Sequence, residues 1–265
     1  MTREEKVGRL KSLHERCFVI ANAWDAGSAK ILAGLGFPAL ATSSGAAAGM
    51  LGRRDGHITR EEAMAHCRAV VEATDLPVSA DLERCFADEP RAAAQTIRMG
   101  AEIGLAGGSI EDATRDSVYD FNLSVERVAA AVEVARKENF VLTARAENFV
   151  RGKPDLEDTI RRLQAYEKAG ADVLMAPGLP DLAAVKQVCA ALSKPFNFMG
   201  GIRGKSFSVA ELEAAGVRRI SLATSLYRAA MSGLFDAARE VREKGTFTYI
   251  DRTMATPDLI KAMGT

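Results

Sequence analysis

LSVERVAAAVEVARKE (123–138), FVLTARAE (140–147), DLEDTIRRLQAYEKAG (155–170) and ADVLMAP (171–177) follow one another almost without a gap. The first and third carry apolar residues at helical spacing. The second and fourth are short runs that are apolar on both faces. Gly170 closes the third segment where a helix favours glycine, and Ser124 is a candidate cap for the first. A strand that is apolar on both faces fits a parallel sheet covered by helices.

The same alternation extends in both directions. Upstream lie strands at CFVIA (17–21), FPALATS (37–43) and LPVSAD (76–81), and a Gly-rich strand within AEIGLAGGSIED (101–112). Helical segments separate them at about 28–35, 59–74 and 90–99, and Thr59 with Glu62 forms a capping box. Downstream come a helix at 180–192, strand PFNFM (195–199), a helix at 208–215, strand RRISLA (218–223) and a long helix from about 224 to 244. Eight strand–helix units in about 250 residues predict a (β/α)8 TIM-type α/β barrel. No GxGxxG follows the first strand, so a dinucleotide-binding sheet loses its main sign. The expected organisation is one barrel domain over 1–245 and a C-terminal tail over 246–265. Pro257 is placed to start a short last helix in that tail.

The chain has 265 residues, 48% hydrophobic and 26% charged, which excludes collagen-like and disordered classes. Lys+Arg and Asp+Glu both number 35, so no basic excess suggests nucleic acid. No apolar run is long enough to span a bilayer, and the charged N-terminus lacks the core of a secretion signal. The four cysteines form no CxxC pair. A cytoplasmic enzyme with reduced thiols is the expectation.

In a barrel, chemistry sits at the C-terminal ends of strands and in the loops after them. Asp81 and Glu83 close the third strand, Glu111 and Asp112 the fourth, and Arg145 and Glu147 the fifth. Asp55 lies in the loop after the second, whose end carries Ser43, Ser44 and Gly45. Carboxylates beside one arginine suit a hard divalent cation, which binds few protein oxygens and leaves room for substrate oxygens. Mg²⁺ is the expected ion, and Mn²⁺ shares its oxygen preference. The cation would polarise a carbonyl and stabilise an enolate. Arg145 would hold a carboxylate or phosphonate in its fork, and the N–H groups of 43–45 would form an anion cradle. Asp112 reads instead as a cap or buried partner, Cys85 as an inert thiol, and His14 and His66 as structural. His57 has no nameable chemical partner, and Trp24 reads as a core residue or a pocket wall.

The wording of these stretches also resembles a known family. AWDAGSAKILAGLGFPALATSSGAAAGMLGRRDG (23–56), PVSADLERCF (77–86), GGSIEDA (107–113), LTARAENFVRG (142–152), RRLQAYEKAGADVLM (161–175) and ELEAAGVRRISLATSLYRAA (211–230) are similar in order and spacing to the isocitrate lyase / phosphoenolpyruvate mutase superfamily. The resemblance implies an α/β barrel, often with its last helix exchanged between subunits of a dimer of dimers. It implies Mg²⁺ and cleavage or rearrangement of C–C or P–C bonds next to a pyruvate-like oxo acid. By position, Ser43, Ser44 and Gly45 resemble the carboxylate-binding turn. Asp55, Asp81, Glu83 and Glu111 resemble the metal-site acids, with Asp81 the candidate direct ligand. Arg145 resembles the substrate arginine, Glu147 its orienting partner and Asn197 a polar pocket residue.

The departures narrow the reading. The lyases' Lys-(Lys/Arg)-Cys-Gly-His loop is replaced by ATRDSVYDFNLSVERV (113–128), with no Cys and no His. No Lys occurs between Glu111 and Arg136, where mutase-like members carry one. Ala176 stands where mutases place a His, and the metal motif reads Asp-Leu-Glu. The expected function is a Mg²⁺-dependent lyase or mutase-like enzyme acting next to a small α-oxo or hydroxy acid through a pyruvate-type enolate. P–C bond chemistry on a phosphonate is the second reading, and a non-catalytic metal-dependent dicarboxylate binder the third. The expected partners are a small-molecule substrate and further copies of the chain, as a dimer or tetramer, with neither nucleic acid nor membrane.

Overall fold

Helix α1 (Arg3–Leu13) precedes the first strand and closes one end of the molecule. A computed structural model describes residues 1–264. Among these, eight parallel strands close into a barrel in the order of the sequence. They are β1 (Phe18–Asn22), β2 (Leu40–Ala41), β3 (Val78–Ala80), β4 (Gly107–Glu111), β5 (Val141–Arg145), β6 (Val173–Met175), β7 (Phe196–Met199) and β8 (Arg219–Ser221). The barrel closes through β1 and β8, with Phe18 opposite Arg219 and Ile20 opposite Ser221. The expected (β/α)8 architecture is thus what the chain adopts.

The helices are α2 (Ala26–Gly34), α3 (Ser44–Met50), α4 (Arg60–Glu72), α5 (Pro90–Glu102), α6 (Phe121–Lys137), α7 (Leu156–Ala169), α8 (Leu182–Ala190), α9 (Val209–Ala214), α10 (Ser225–Lys244) and α11 (Thr256–Ala262). The Thr59–Glu62 capping box opens α4 as expected. One local expectation is corrected. Ser124 does not cap α6; Asp120 does, and the helix starts at Phe121, two residues earlier than predicted, because the Asp120 carboxylate reaches the N–H groups of Asn122 and Leu123. Ser124 lies inside the first turn and turns its hydroxyl back to the Asp120 carbonyl. The Ala-rich run after Ser44, which lacks any helical apolar stripe, is a short helix with Ser43 as its N-cap.

Period-two alternation sorts each strand into an outward and an inward set. Outward residues such as Leu40, Val78, Ile110, Leu142, Leu174 and Ile220 join the layer beneath the helices. Inward residues at the N-terminal end of the lumen, among them Phe18, Ile20, Val141 and Val173, pack on Val7 and Leu10 of α1. Helix α1 is therefore the plug of the barrel floor. Burial of Val7 and Leu10 contributes about 1.5–3 kcal/mol each. Strand β4 needs its glycines: a Cβ on Gly107 would lie 2.6 Å from the Val141 carbonyl oxygen. Nearer the mouth the inward residues are small or polar (Ser79, Ser109, Thr143, Asn197 and Ser221), so the lumen stays partly open there.

Helix α10 leaves this pattern. It buries no residue and exposes Leu234 and Phe235. No helix among the described residues is long and apolar enough to cross a membrane.

Candidate active site at the barrel mouth

Two neighbouring cavities lie at the C-terminal ends of the strands. The inner one, about 260 Å³, descends into the lumen and is lined by Ser43, Ser44, Asp81, Glu111, Arg145, Asn197 and Arg219, among others. The outer one, about 530 Å³, lies between the loops after β2, β3 and β4 and includes Glu83, Arg84 and Arg115. Ser44, Asp55, Glu111 and Arg151 line both.

Arg145 organises the inner cavity. Its Nε donates to Glu147 Oε1 at 2.8 Å, and its Nη1 lies 3.1 Å from Asp81 Oδ1 and 3.0 Å from Glu111 Oε1. The strand period makes this possible: Glu111 and Arg145 are register partners on β4 and β5. Three carboxylates raise the guanidinium's already high pKa despite its burial. Burial is the largest influence on Glu111 and Glu147 and pushes both upward, against the pull of Arg145. The Glu147 N–H donates to Asp112, whose other oxygen accepts from the Tyr166 hydroxyl and Arg162. Asp112 is the buried partner expected of it, and it fixes the turn that carries Glu147.

The second strand's turn behaves differently from its expectation as a free anion cradle. The Ser44 N–H and hydroxyl both donate to Asp81 Oδ2, at 3.1 and 2.9 Å. The Ser43 hydroxyl accepts from Ala46 N–H and meets Thr224 at 3.1 Å. The carboxylate seated on this turn is the chain's own Asp81, drawn by the unsatisfied donors at the start of α3. Gly45 is required by close approach, since a Cβ there would stand 3.0 Å from Thr224 Oγ1 and 3.3 Å from Asp55 Oδ2. Asp55 is thereby placed at the rim of both cavities.

Glu83 sits in the outer cavity on a strained loop. It, Cys85 and Phe86 all have positive φ (50°, 58° and 57°), a conformation costly for residues with a Cβ. Arg127, fully buried on α6, pins that loop by donating to the carbonyls of Arg84, Ala87 and Asp88. Its guanidinium also stacks on Tyr119, 4.5 Å from the ring centre. Burial, then repulsion from Asp81 and Asp55, pushes the Glu83 carboxyl up to about 7. Its Oε1 is buried and makes no hydrogen bond.

These features test whether the residues suit Mg²⁺. The donors are hard oxygens, one of them orphaned, and the acids repel one another. Asp81, Glu83 and Glu111 do not converge into a closed cage: among the described residues no three His, Cys, Asp or Glu side chains do so. The guanidinium of Arg145 lies between Asp81 and Glu111. Mg²⁺ keeps several waters and needs only one or two protein carboxylates, so the donor set fits this ion better than one requiring a full protein cage.

Asn197, expected to line the pocket, is there but committed. Its Oδ1 accepts from Arg219 Nε and its Nδ2 donates to Ser221. Arg219 itself was not foreseen. It is 4% exposed, and its Nη2 reaches across the lumen to Thr143 on β5 at 2.7 Å. Its charge meets only neutral partners, and burial lowers its pKa to about 9. The signal was present in RRIS: with Ile220 facing out, Arg219 and Ser221 must face in. Cys85 is fully buried with its thiol pushed up to about 12, an inert group as expected. His57 is exposed, while His66 meets the Trp24 carbonyl away from both cavities.

Comparison with known proteins gives the same picture. Residues 10–242 match the family model for phosphoenolpyruvate phosphomutase. A structure from Burkholderia cenocepacia J2315, provisionally described as a lyase or mutase, is 44% identical with a TM-score of 0.96, covering 99% of this chain and 97% of that one. The 2-methylisocitrate lyase of Escherichia coli is 28% identical over 81% of this chain and 76% of its own length. The oxaloacetate decarboxylase of Ectopseudomonas mendocina is 28% identical over 86% and 81%. The chain belongs to the phosphoenolpyruvate phosphomutase family, within the isocitrate lyase / phosphoenolpyruvate mutase superfamily of lyases and phosphonomutases.

Proposed function

We propose that this protein is a Mg²⁺-dependent enzyme that cleaves or forms a C–C bond next to a small α-oxo or hydroxy acid, through a pyruvate-type enolate. One observation carries the reading: Asp81, Glu111 and Arg145 meet within hydrogen-bonding distance in a cavity at the strand ends. Asp81, with Glu83, Glu111 and Asp55 around it, would hold the ion or its waters. When bound, Mg²⁺ supplies Lewis-acid stabilisation of developing enolate charge.

The chain's own groups do the rest. Ser44 fixes the Asp81 carboxylate and Glu147 fixes the plane of Arg145. Arg145 Nη2 takes no partner among the described residues and is the arm left for a substrate carboxylate. Cys85 cannot stand in for a loop cysteine, because its thiol is sealed in the core. A decarboxylation or retro-aldol cleavage that draws its proton from water needs no such thiol.

The second reading, P–C chemistry, draws on Arg115 and Arg151 in the outer cavity, which match a phosphonate's charge. Assembly as a dimer or tetramer, with α10 exchanged between copies, accounts for the apolar face that α10 exposes; light scattering at micromolar concentration would show a monomer if it is wrong. The reaction is tested by incubating oxaloacetate, C-methylated malates and phosphonopyruvate with the protein and Mg²⁺, and following pyruvate and phosphoenolpyruvate. Turnover of a C–C substrate that disappears in a folded Asp81→Ala variant is expected. Turnover of phosphonopyruvate alone would move the assignment to the second reading, and turnover of nothing would favour a non-catalytic binder.

A further inference from the structure

The cations that line the two cavities differ in how fully they are engaged. Arg145 faces three carboxylates. Arg84 is paired with Asp88 at 2.7 Å, Arg60 lies beside Glu61, and Arg115 donates to the Gly56 carbonyl. Arg219 is bonded to Asn197 and Thr143. Arg60 and Arg151 are the two whose side chains make no hydrogen bond among the described residues, and of these Arg151 alone lines both cavities. The one acid within 4 Å of it is Glu111, with Nη2 at 3.6 Å from Oε2, beyond hydrogen-bond length, while the charge of Glu147 acts on it from farther away. Glu111 already has Arg145 at 3.0 Å.

Position adds to this. Arg151 lines both cavities, so it stands at the boundary that the two share. Its Cα is held firmly. It ends the 3-10 turn Asn148–Arg151, its N–H bonds the Glu147 carbonyl, and Gly152 follows with φ 71°. The Asn148 side chain anchors that turn to Asp158. The side chain is 27% exposed, with its Nε shut off and unpartnered. A guanidinium offers five N–H donors in a planar fork matched to a carboxylate or phosphonate. Here that fork is on a fixed mount, facing ligand space, with its donors unspent.

We propose that Arg151 is a specificity-determining residue that binds a second anionic group of the substrate. Arg145 holds the carboxylate at the enolate-forming end, and Arg151 holds an anion on the half that departs toward the outer cavity. This rests on the enolate reading above and sharpens it: the substrate bears two anionic ends. The group shared by the possible substrates is a planar or tetrahedral oxyanion, either carboxylate or phosphonate.

The test is calorimetric titration with Mg²⁺ of four ligands, each first checked for the absence of turnover: oxalate, malate, 2-hydroxybutyrate and 2-hydroxy-3-phosphonopropionate. Malate and 2-hydroxybutyrate differ in a distal carboxylate against a methyl group. Wild type is expected to favour malate at least tenfold. Arg151→Met should erase that preference, Arg151→Lys should keep part of it, and oxalate affinity should change less than threefold in both. Tighter binding of the phosphonate than of malate, again lost in Arg151→Met, would support the same role and identify the anion as a phosphonate. A preference that survives Arg151→Met, equal weakening of oxalate and malate, or no preference in wild type would overturn the proposal. Failure of wild type to bind oxalate at all would overturn the enolate reading, and this proposal with it.

Discussion

Arg145 and Arg219 enter the same lumen from β5 and β8, yet the fold treats them in opposite ways. Arg145 has three carboxylates around it, and Arg219 has an amide and a hydroxyl. At the mouth the surplus is therefore negative, with acids that lack enough cations. Lower in the lumen it is positive, with a cation that lacks an acid. A buried charge without a counter-charge is costly, and a fold retains one where it is used or where neutral hydrogen bonds suffice. The mouth acids share one cation, Arg145, whereas Arg219 ties three strands together through Asn197 and Thr143.

The largest expected effect breaks the mouth. Arg145→Met leaves the buried Glu111 and Glu147 and the half-buried Asp81 without their shared cation, and should cost about 3–5 kcal/mol by chemical denaturation at neutral pH. Added Mg²⁺ should restore part of that loss. A loss below about 1 kcal/mol would mean the carboxylates are already neutral.

Asp81→Asn comes next. It keeps a Ser44 acceptor but removes the charge, and should weaken Mg²⁺-dependent oxalate binding by roughly 100-fold, about 2.7 kcal/mol. Equal affinity in the variant would remove Asp81 from the metal site.

His14, at the floor, sharpens the contrast. Burial, and then the charge of Arg219, lower its pKa from 6.5 to about 4. The unfolded chain takes up this proton below about 6.5, but the folded one only near 4. Stability is therefore fully present above pH 6.5 and is lost as pH falls toward 4, by up to roughly 2–3 kcal/mol. His14→Gln should flatten that part of the denaturation-versus-pH curve. An unchanged slope would show that His14 is already charged in the fold.

Arg219→Met should have the smallest effect, within about 1 kcal/mol of wild type in either direction, because an unpaired buried charge is lost along with its two hydrogen bonds. A cost above about 3 kcal/mol would show that Arg219 has a counter-charge after all.

How much of this was legible follows from the same residues. The barrel was, because strands apolar on both faces alternated with amphipathic helices over the whole chain. Asp81, Glu111 and Arg145 were legible as polar residues closing apolar strands. What spacing could not show was contact across the barrel. Ser44 turns its donors on Asp81, and Arg145 comes between Asp81 and Glu111, only once eight strands have closed. Arg219 was legible in principle from strand parity but was hidden by a doublet, Arg218–Arg219, that reads as a charged strand end. Arg151 lies within a stretch that resembles the family, yet nothing in its local sequence says that its side chain makes no hydrogen bond. Asp120 displaced Ser124 as a cap because both residue types compete for the same helix start.

The most direct measurement is calorimetric titration of oxalate, a mimic of the pyruvate enolate, with Mg²⁺ and then with a chelator. A site built to stabilise that enolate binds its mimic tightly when the ion is present. Micromolar or tighter binding with Mg²⁺, lost with chelator, is the predicted result. No binding in either condition, or equal binding in both, would contradict a metal-dependent enolate site at this barrel mouth.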